Sequence, residues 1–213
     1  MPGKMRQPRS PALHGVVTIE SVRSLVKFLG WTVGVVGAEA WATPSVLDCA
    51  ERCASGRRRI AEIGVWQGAA TCRMRAVMHP DGVLFAIDPY PPGRLGFSYQ
   101  QIIARREVAR IARGQVVWLR ERGGEAVRNP VIRAAPFDLV LVDADHTIAG
   151  LTENWDAWTP LIAPGGLLAL HEGGVPGGLS DHGTPRFCDT VAQGDPRFEV
   201  IHTVENLLVL RRR

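Results

Sequence analysis

Apolar and polar positions follow two alternating periods from residue 58 onward. "RRIAEIG" (58–64), "GVLFAID" (82–88), "QVVWLRE" (115–121), "FDLVLVD" (137–143) and "GGLLALHE" (165–172) are short, nearly continuous apolar runs. Such runs suit strands buried on both faces of a parallel sheet. Between them the spacing turns helical. "QGAATCRMRAVMH" (67–79) is stopped by Pro80, and "SYQQIIARREVARIA" (98–112) aligns Ile102, Ile103, Val108 and Ile111. A short helix is predicted near 124–133, and "IAGLTENWDAWTPLI" (148–162) sets Leu151, Trp155 and Trp158 on one side, as core positions. The tail predicts a helix near 185–193, then strands "FEVIHTV" (198–204) and "NLLVLRR" (206–212), linked tightly enough for an antiparallel hairpin. Upstream, 18–29 and 44–55 are helical. The second has Thr43 as N-cap, Pro44 at the first helical position and Gly56 beyond its end. The sum is an α/β chain: a doubly wound, mostly parallel seven-stranded sheet with helices on both faces and an antiparallel C-terminal hairpin. Residues 1–15 read as a disordered basic arm, and 16–57 as N-terminal helices that pack on the core, form a lid or make an oligomer contact. Residues 58–213 read as the main domain.

Composition narrows this picture. The chain has 213 residues, 46% apolar and 22% charged, which suits one domain with a proper core. No apolar run is long enough to span a bilayer, and "MPGKMRQPRSPALHG" lacks the apolar stretch of a signal peptide. A cytoplasmic location without a membrane partner is therefore expected. Cys49, Cys53, Cys72 and Cys188 form no CxxC pair, as expected of reduced thiols. Cys49 and Cys53, at i,i+4, read as a buried pair. Net charge is +4, but "GRRRI" (56–60) and "RRR" (211–213) are short and carry no interleaved aromatic ladder. A solvated basic surface explains them better than a nucleic-acid groove.

The candidate chemistry starts at "EIGVWQG" (62–68), where the first strand meets its helix. In open α/β sheets, ligands sit beyond the carboxyl ends of strands. A dinucleotide loop wants a glycine where Trp66 stands, and no GK[ST] is present, so NAD, FAD and P-loop chemistry are disfavoured. Glu62 adds negative charge, which repels phosphate and suits a cationic ligand such as S-adenosylmethionine. Asp88 ends the second strand, where a carboxylate can accept both hydroxyls of a ribose.

The motifs "EIGVWQGAAT", "AIDPY", "FDLVLVDADHTIAG", "WDAWTPLIAPGGLLALHE" and "NLLVLRR" resemble the class I S-adenosylmethionine-dependent methyltransferases, which have a Rossmann-like fold. They are similar to a small bacterial O-methyltransferase group that includes enzymes acting on sugar hydroxyls of natural-product glycosides and methylated polysaccharides. The resemblance spans about residues 58–213. It implies S-adenosylmethionine as cofactor, with Glu62 and Gly64 at its methionine end, Gly68 closing the loop and Asp88 on the ribose. The adenine falls near Arg122–Gly124, with Gly123 as contact.

"LVDADHTIAG" and "LLALHE" bring Asp143, Asp145, His146, His171 and Glu172 to the same rim. Methyl transfer to a hydroxyl needs a positioned acceptor and a proton acceptor. His146 is the candidate base, since imidazole titrates near neutral pH, and Asp143 is its catalytic and cofactor-side neighbour. By the resemblance, Asp143, His171 and Glu172 would hold a divalent cation, Mg²⁺ or, given the histidine, Mn²⁺. The plainer readings are Asp145 as N-cap of the next helix, His146 as a structural histidine and His171 as a partner orienting Asp143. Two loops border the rim. "DPYPPGRLGFSYQ" (88–100) offers Tyr90, Arg94, Phe97 and Tyr99 as acceptor contacts; "GGVPGGLSDHGTPRF" (173–187) offers His182 and Arg186. The expected partner is a small sugar-like acceptor, with a phenolic or catechol-like hydroxyl, or a non-catalytic cofactor-binding protein, as alternatives. A homo-oligomer through the N-terminal helices is the other expected assembly.

Overall fold

The computed structural model describes residues 19–40, 42–93, 95–171, 187, 192 and 194–213. The chain forms two compact units, Met1–Val36 and Gly37–Arg213. The first contains helix α1 (Ile19–Thr32), in which Phe28 and Trp31 stack with ring centroids 5.9 Å apart.

The second unit alternates as the apolar pattern requires. Its elements are α2 (Pro44–Ala54), β1 (Arg59–Ile63), α3 (Ala69–Val77), β2 (Val83–Ile87), α4 (Tyr99–Ala109), β3 (Gln115–Leu119), α5 (Gly123–Ala126), α6 (Pro130–Arg133), β4 (Phe137–Val142), α7 (Ile148–Trp158), β5 (Ile162–His171), β6 (Phe198–Val204) and β7 (Leu207–Arg212). The sheet order is β3-β2-β1-β4-β5-β7-β6. β3, β2, β1, β4 and β5 run parallel, and β7 lies antiparallel between β5 and β6. The order reverses between β1 and β4, so the crevice favoured for ligands opens there.

Side-chain alternation builds a core on each face. Ala61 and Ile63 of β1 join Leu151, Trp155 and Trp158 of α7; Ile60 faces Val46, Cys49 and Ala50 of α2 and Met74 of α3. α2 is thus part of the sheet unit. Thr43 accepts from the Val46 N–H and Pro44 opens the helix, as read from the sequence. Cys49 and Cys53 are hydrogen-bonded neighbours. Burial, with Cys49 adding to it, pushes the Cys53 thiol up to about 12, so it is a poor nucleophile.

Three boundaries differ from the sequence pattern. The stretch 124–133 is two separate turns, because Asn129 caps a new helix started by Pro130. α7 stops at Trp158 and passes through a 3-10 turn, Thr159–Leu161, since Pro160 cannot continue an α-helix. β5 therefore starts at Ile162, and its pairing with β4 shifts register before Leu167. The expected helix near 185–193 lies largely outside the described residues.

Candidate active site

Register brings the chemistry to one rim. Ile63 pairs with both Ile87 and Val142, and Val142 pairs with Leu170. The next residues, Asp88, Gly64, Asp143 and His171, therefore stand side by side at the carboxyl ends of β2, β1, β4 and β5. Backbone bonds extend the ladder there: Gly64 donates to the Ile87 carbonyl at 2.9 Å, and Asp143 to Ile63 at 2.7 Å.

Gly64 has φ +89°, and a Cβ on it would lie 2.0 Å from the Asp143 carbonyl oxygen. The glycine is required by the crossing of two chains, before any ligand is considered. Trp66 (φ 52°) and Gly68 (φ 84°) complete a loop that turns sharply into α3. As the N-cap of α3, Gly68 has no side chain to offer the helix. Glu62 supplies that function from beneath the loop. Its carboxyl accepts from the Thr71 hydroxyl, and Thr71 provides a backbone bond too. Burial pushes the Glu62 carboxyl up to about 8, against the lowering pull of the Thr71 bond, and the charges of Asp143 and Asp88 add to the rise. Thr71 was not singled out in the sequence, although "GAAT" places a hydroxyl one helical turn into a helix with no capping side chain.

Asp88 holds the same loop. One carboxylate oxygen accepts from the Val65 and Trp66 N–H groups at 3.0 and 3.1 Å, and the other from Tyr90 N–H at 2.8 Å. Tyr90, expected on an acceptor wall, is instead packed into the core at 2% exposure. Its positive φ of 41° turns the ring inward, and its carbonyl accepts from Arg120 at 2.9 Å. Burial, with Asp88 and Glu62 nearby, raises its phenol far above the usual range. Of the other wall residues, Phe97 and Tyr99 pack edge to face at 5.2 Å, with Phe97 exposed. Buried Gln67 adds a tie that no local motif signals: its side-chain carbonyl accepts from Glu39 N–H at 2.6 Å and its amide donates to the Glu39 carboxylate at 3.4 Å. The segment preceding α2 is thereby fastened to the glycine loop.

Gly123 sits at the start of α5, where α7 packs closely. A Cβ on Gly123 would be 2.1 Å from Asn154 Oδ1, and one on Gly124 would be 2.0 Å from Glu153 Oε1. Trp158 Nε1 donates to the Gly123 carbonyl at 3.1 Å. The glycine pair is thus explained by helix packing, and its adenine role remains an expectation from the resemblance.

The acid–histidine cluster centres on Asp143. Asp143 Oδ1 is 2.7 Å from Nδ1 of buried His171 and 4.0 Å from Nε2 of His146, whose side chain is 27% exposed. One carboxylate oxygen therefore faces two imidazoles, one held in the core and one reaching toward solvent. Asp145 is not the helix cap. Thr147 caps α7, accepting from Gly150 N–H at 3.1 Å, and Asp145 accepts from the Thr147 hydroxyl at 2.7 Å. At φ 46°, Asp145 folds back so closely that a Cβ on Gly150 would be 2.1 Å from its Cγ. Glu172, His182, Arg186 and Arg94 lie outside the described residues.

The rim fits a cationic ligand. Glu62, Asp88 and Asp143 are close enough for the latter two charges to act on Glu62, and the glycine loop crosses above them. S-adenosylmethionine carries a sulfonium and an ammonium, and no phosphate for these carboxylates to repel. Of the three residues expected to hold a divalent cation, Asp143 and His171 are hydrogen-bonded to each other and Glu172 lies outside the described residues; among the described residues no three His, Cys, Asp or Glu side chains converge as a ligand set.

Comparison with known proteins agrees with this fold. An O-methyltransferase from Bacillus cereus, solved with S-adenosylhomocysteine, superposes with TM-score 0.60 at 17% identity, covering 93% of each chain. A protein from Corynebacterium glutamicum superposes with TM-score 0.62 at 16% identity, over 93% of this chain and 92% of that one. The MycE methyltransferase of the mycinamycin biosynthetic pathway, solved with Mg and S-adenosylhomocysteine, gives TM-score 0.53 at 15% identity; the match covers 93% of this chain and 55% of MycE. No curated protein matches the chain. A family model described as "Methyltransferase domain" matches residues 61–173, from the middle of β1 to just past His171 and across every described residue of the rim. The chain belongs to that methyltransferase family, and its sheet is the methyltransferase sheet.

Proposed function

We propose that the protein is an S-adenosylmethionine-dependent O-methyltransferase whose acceptor is a hydroxyl of a small carbohydrate, such as a sugar of a natural product. The observation carrying the reaction type is the His171–Asp143–His146 array, on the strand end next to Gly64. When bound, S-adenosylmethionine supplies the electrophilic methyl and its own leaving group. The chain supplies the rest. His146 takes the hydroxyl proton as the oxygen becomes nucleophilic, and the Asp143 carboxylate stabilises the resulting imidazolium. His171, fixed in the core, holds Asp143 in that orientation. Asp88 and Asp143 favour the positive cofactor, and Asp88 is also the proposed ribose acceptor. The carbohydrate assignment draws on the motif resemblance of "EIGVWQGAAT", "FDLVLVDADHTIAG" and "WDAWTPLIAPGGLLALHE".

A divalent cation would require Asp143, His171 and Glu172 together. The proposed steps need none, because His146 accepts the proton directly.

The test begins with calorimetry against S-adenosylmethionine, where absence of binding refutes the reading outright. Turnover is then measured with sugar and catechol panels, with and without EDTA. Methylation of a sugar hydroxyl is the expected result; turnover confined to catechols assigns the phenolic alternative, and loss of turnover in EDTA assigns the metal. His146→Ala should lower kcat by about 10²–10⁴-fold with cofactor affinity retained. Unchanged turnover removes His146 as base.

A further inference from the structure

His146 stands three residues beyond Asp143, just past the end of β4. In an extended chain this spacing carries the second residue roughly 10 Å onward and onto the opposite face of the sheet. The structure instead returns the imidazole to its own strand end, with His146 Nε2 4.0 Å from Asp143 Oδ1. Between the two, Asp145 has a left-handed backbone, φ 46°. A residue with a Cβ adopts that conformation at a cost. Aspartate and asparagine adopt it most readily, because their short polar groups bond the backbone nearby. Asp145 does so here. Its Oδ1 accepts from the Thr147 hydroxyl at 2.7 Å and, more weakly, from the Thr147 N–H at 3.4 Å.

Both sides of the turn are pinned. On one side, Asp143 N–H donates to the Ile63 carbonyl at 2.7 Å, and the Asp143 carbonyl packs against Gly64. On the other, Thr147 accepts from Gly150 N–H at 3.1 Å at the start of α7. Gly150 also leaves the space that the Asp145 carboxylate fills, since a Cβ there would lie 2.1 Å from Asp145 Cγ. His146 is held between these pins. Asp145 is exposed, so the rival role for it is a charge offered to a ligand.

We propose that Asp145 is a positioning residue: its carboxylate, locked on Thr147 in the space left by Gly150, holds the left-handed turn that keeps the His146 imidazole facing Asp143. This role rests on the reading of His146 as proton acceptor and adds the device that aims it. It calls for an oxygen acceptor on a short side chain and not for a negative charge. Asparagine supplies that acceptor; alanine does not.

Turnover of Asp145→Asn, Asp145→Ala and Gly150→Ala is measured with an acceptor from the sugar and catechol panels, in the parent and on a His146→Ala background. Ligand-free crystals of the parent and of Asp145→Ala give the ring position independently of activity. Asp145→Ala should lose about 10–100-fold in kcat with KM and S-adenosylmethionine affinity held, as expected for a small misplacement near the reacting atoms. Asp145→Asn should restore most of that loss. Gly150→Ala, which displaces the carboxylate without altering it, should lose a similar factor. On His146→Ala neither loss should recur, because a residue acting through another has no effect once that other is gone. In Asp145→Ala the separation of His146 Nε2 from Asp143 Oδ1 should exceed the parental 4.0 Å. Asp145→Asn as slow as Asp145→Ala would assign the charge role and overturn the proposal. So would parental kcat in Asp145→Ala, full additivity with His146→Ala, or an unchanged ring position. Full turnover in His146→Ala removes the base and not the lock, and the ring position then decides.

Discussion

Gly64→Ala and Gly56→Ala form a matched pair that isolates the crossing at the rim. Both glycines have a left-handed backbone, φ +89° and φ +69°, and both substitutions gain the same unfolded-state entropy. Their surroundings differ. Nothing lies within 4 Å of a Cβ on Gly56, whereas one on Gly64 would be 2.0 Å from the Asp143 carbonyl oxygen. Gly56→Ala therefore bears only the left-handed cost, about 1–2 kcal/mol. Gly64→Ala bears that cost plus overpacking against backbone, roughly 1–3 kcal/mol more. For a domain of this size each kcal/mol moves Tm by about 2–4 °C, so the gap should be about 2–12 °C. The strain falls between β1 and β4, so Gly64→Ala should also displace Asp143 and lower kcat, while Gly56→Ala leaves kcat unchanged. Differential scanning calorimetry and a turnover assay read both quantities. Equal Tm shifts would refute the idea that the Asp143 carbonyl, and not only backbone conformation, demands a glycine here.

Glu62 makes a signed pH prediction. Its folded-state carboxyl is raised to about 8, above its unfolded value, so the unfolded state loses the proton first and stability falls as pH rises from about 4.5 to 8. The slope approaches 1.4 kcal/mol per pH unit in mid-window. Glu62→Gln should flatten that part of the Tm–pH curve, and an unchanged slope means the group is not proton-linked. Trp158→Ala, at a side chain with no exposure that also bonds Gly123, should cost about 3–5 kcal/mol in urea titration; under 1 kcal/mol would mean that α7 and α5 are not rigidly packed. Gln67→Leu keeps the size but removes both ties to Glu39, so proteolysis within residues 37–43 should accelerate, with thermal stability lowered by no more than about 1–3 kcal/mol. Unchanged cleavage would show that the segment is held by other contacts.

Much of this protein is legible from sequence because local patterns carry it. The apolar runs at 59–63, 83–87 and 137–142 have no polar face, which only a doubly covered sheet accommodates, and Thr43–Pro44 opens a helix by chemistry contained in two residues. The rim itself follows from parallel strands ending together, so Asp88, Asp143 and His171 could be brought to one edge from their positions at strand ends. What each side chain does there was decided in three dimensions. Gly64 answers to a carbonyl 79 residues away, Gly123 and Gly124 to side chains of α7, and Glu62 to a helix lacking a cap. Tyr90 and Asp145 were misread because a single positive φ, unmarked in residues other than glycine, turned one ring into the core and folded one carboxylate onto Thr147. Periodicity specifies which face a residue occupies. Contacts between distant strands and helices, set by register and packing, specify its neighbours, and no local pattern encodes those.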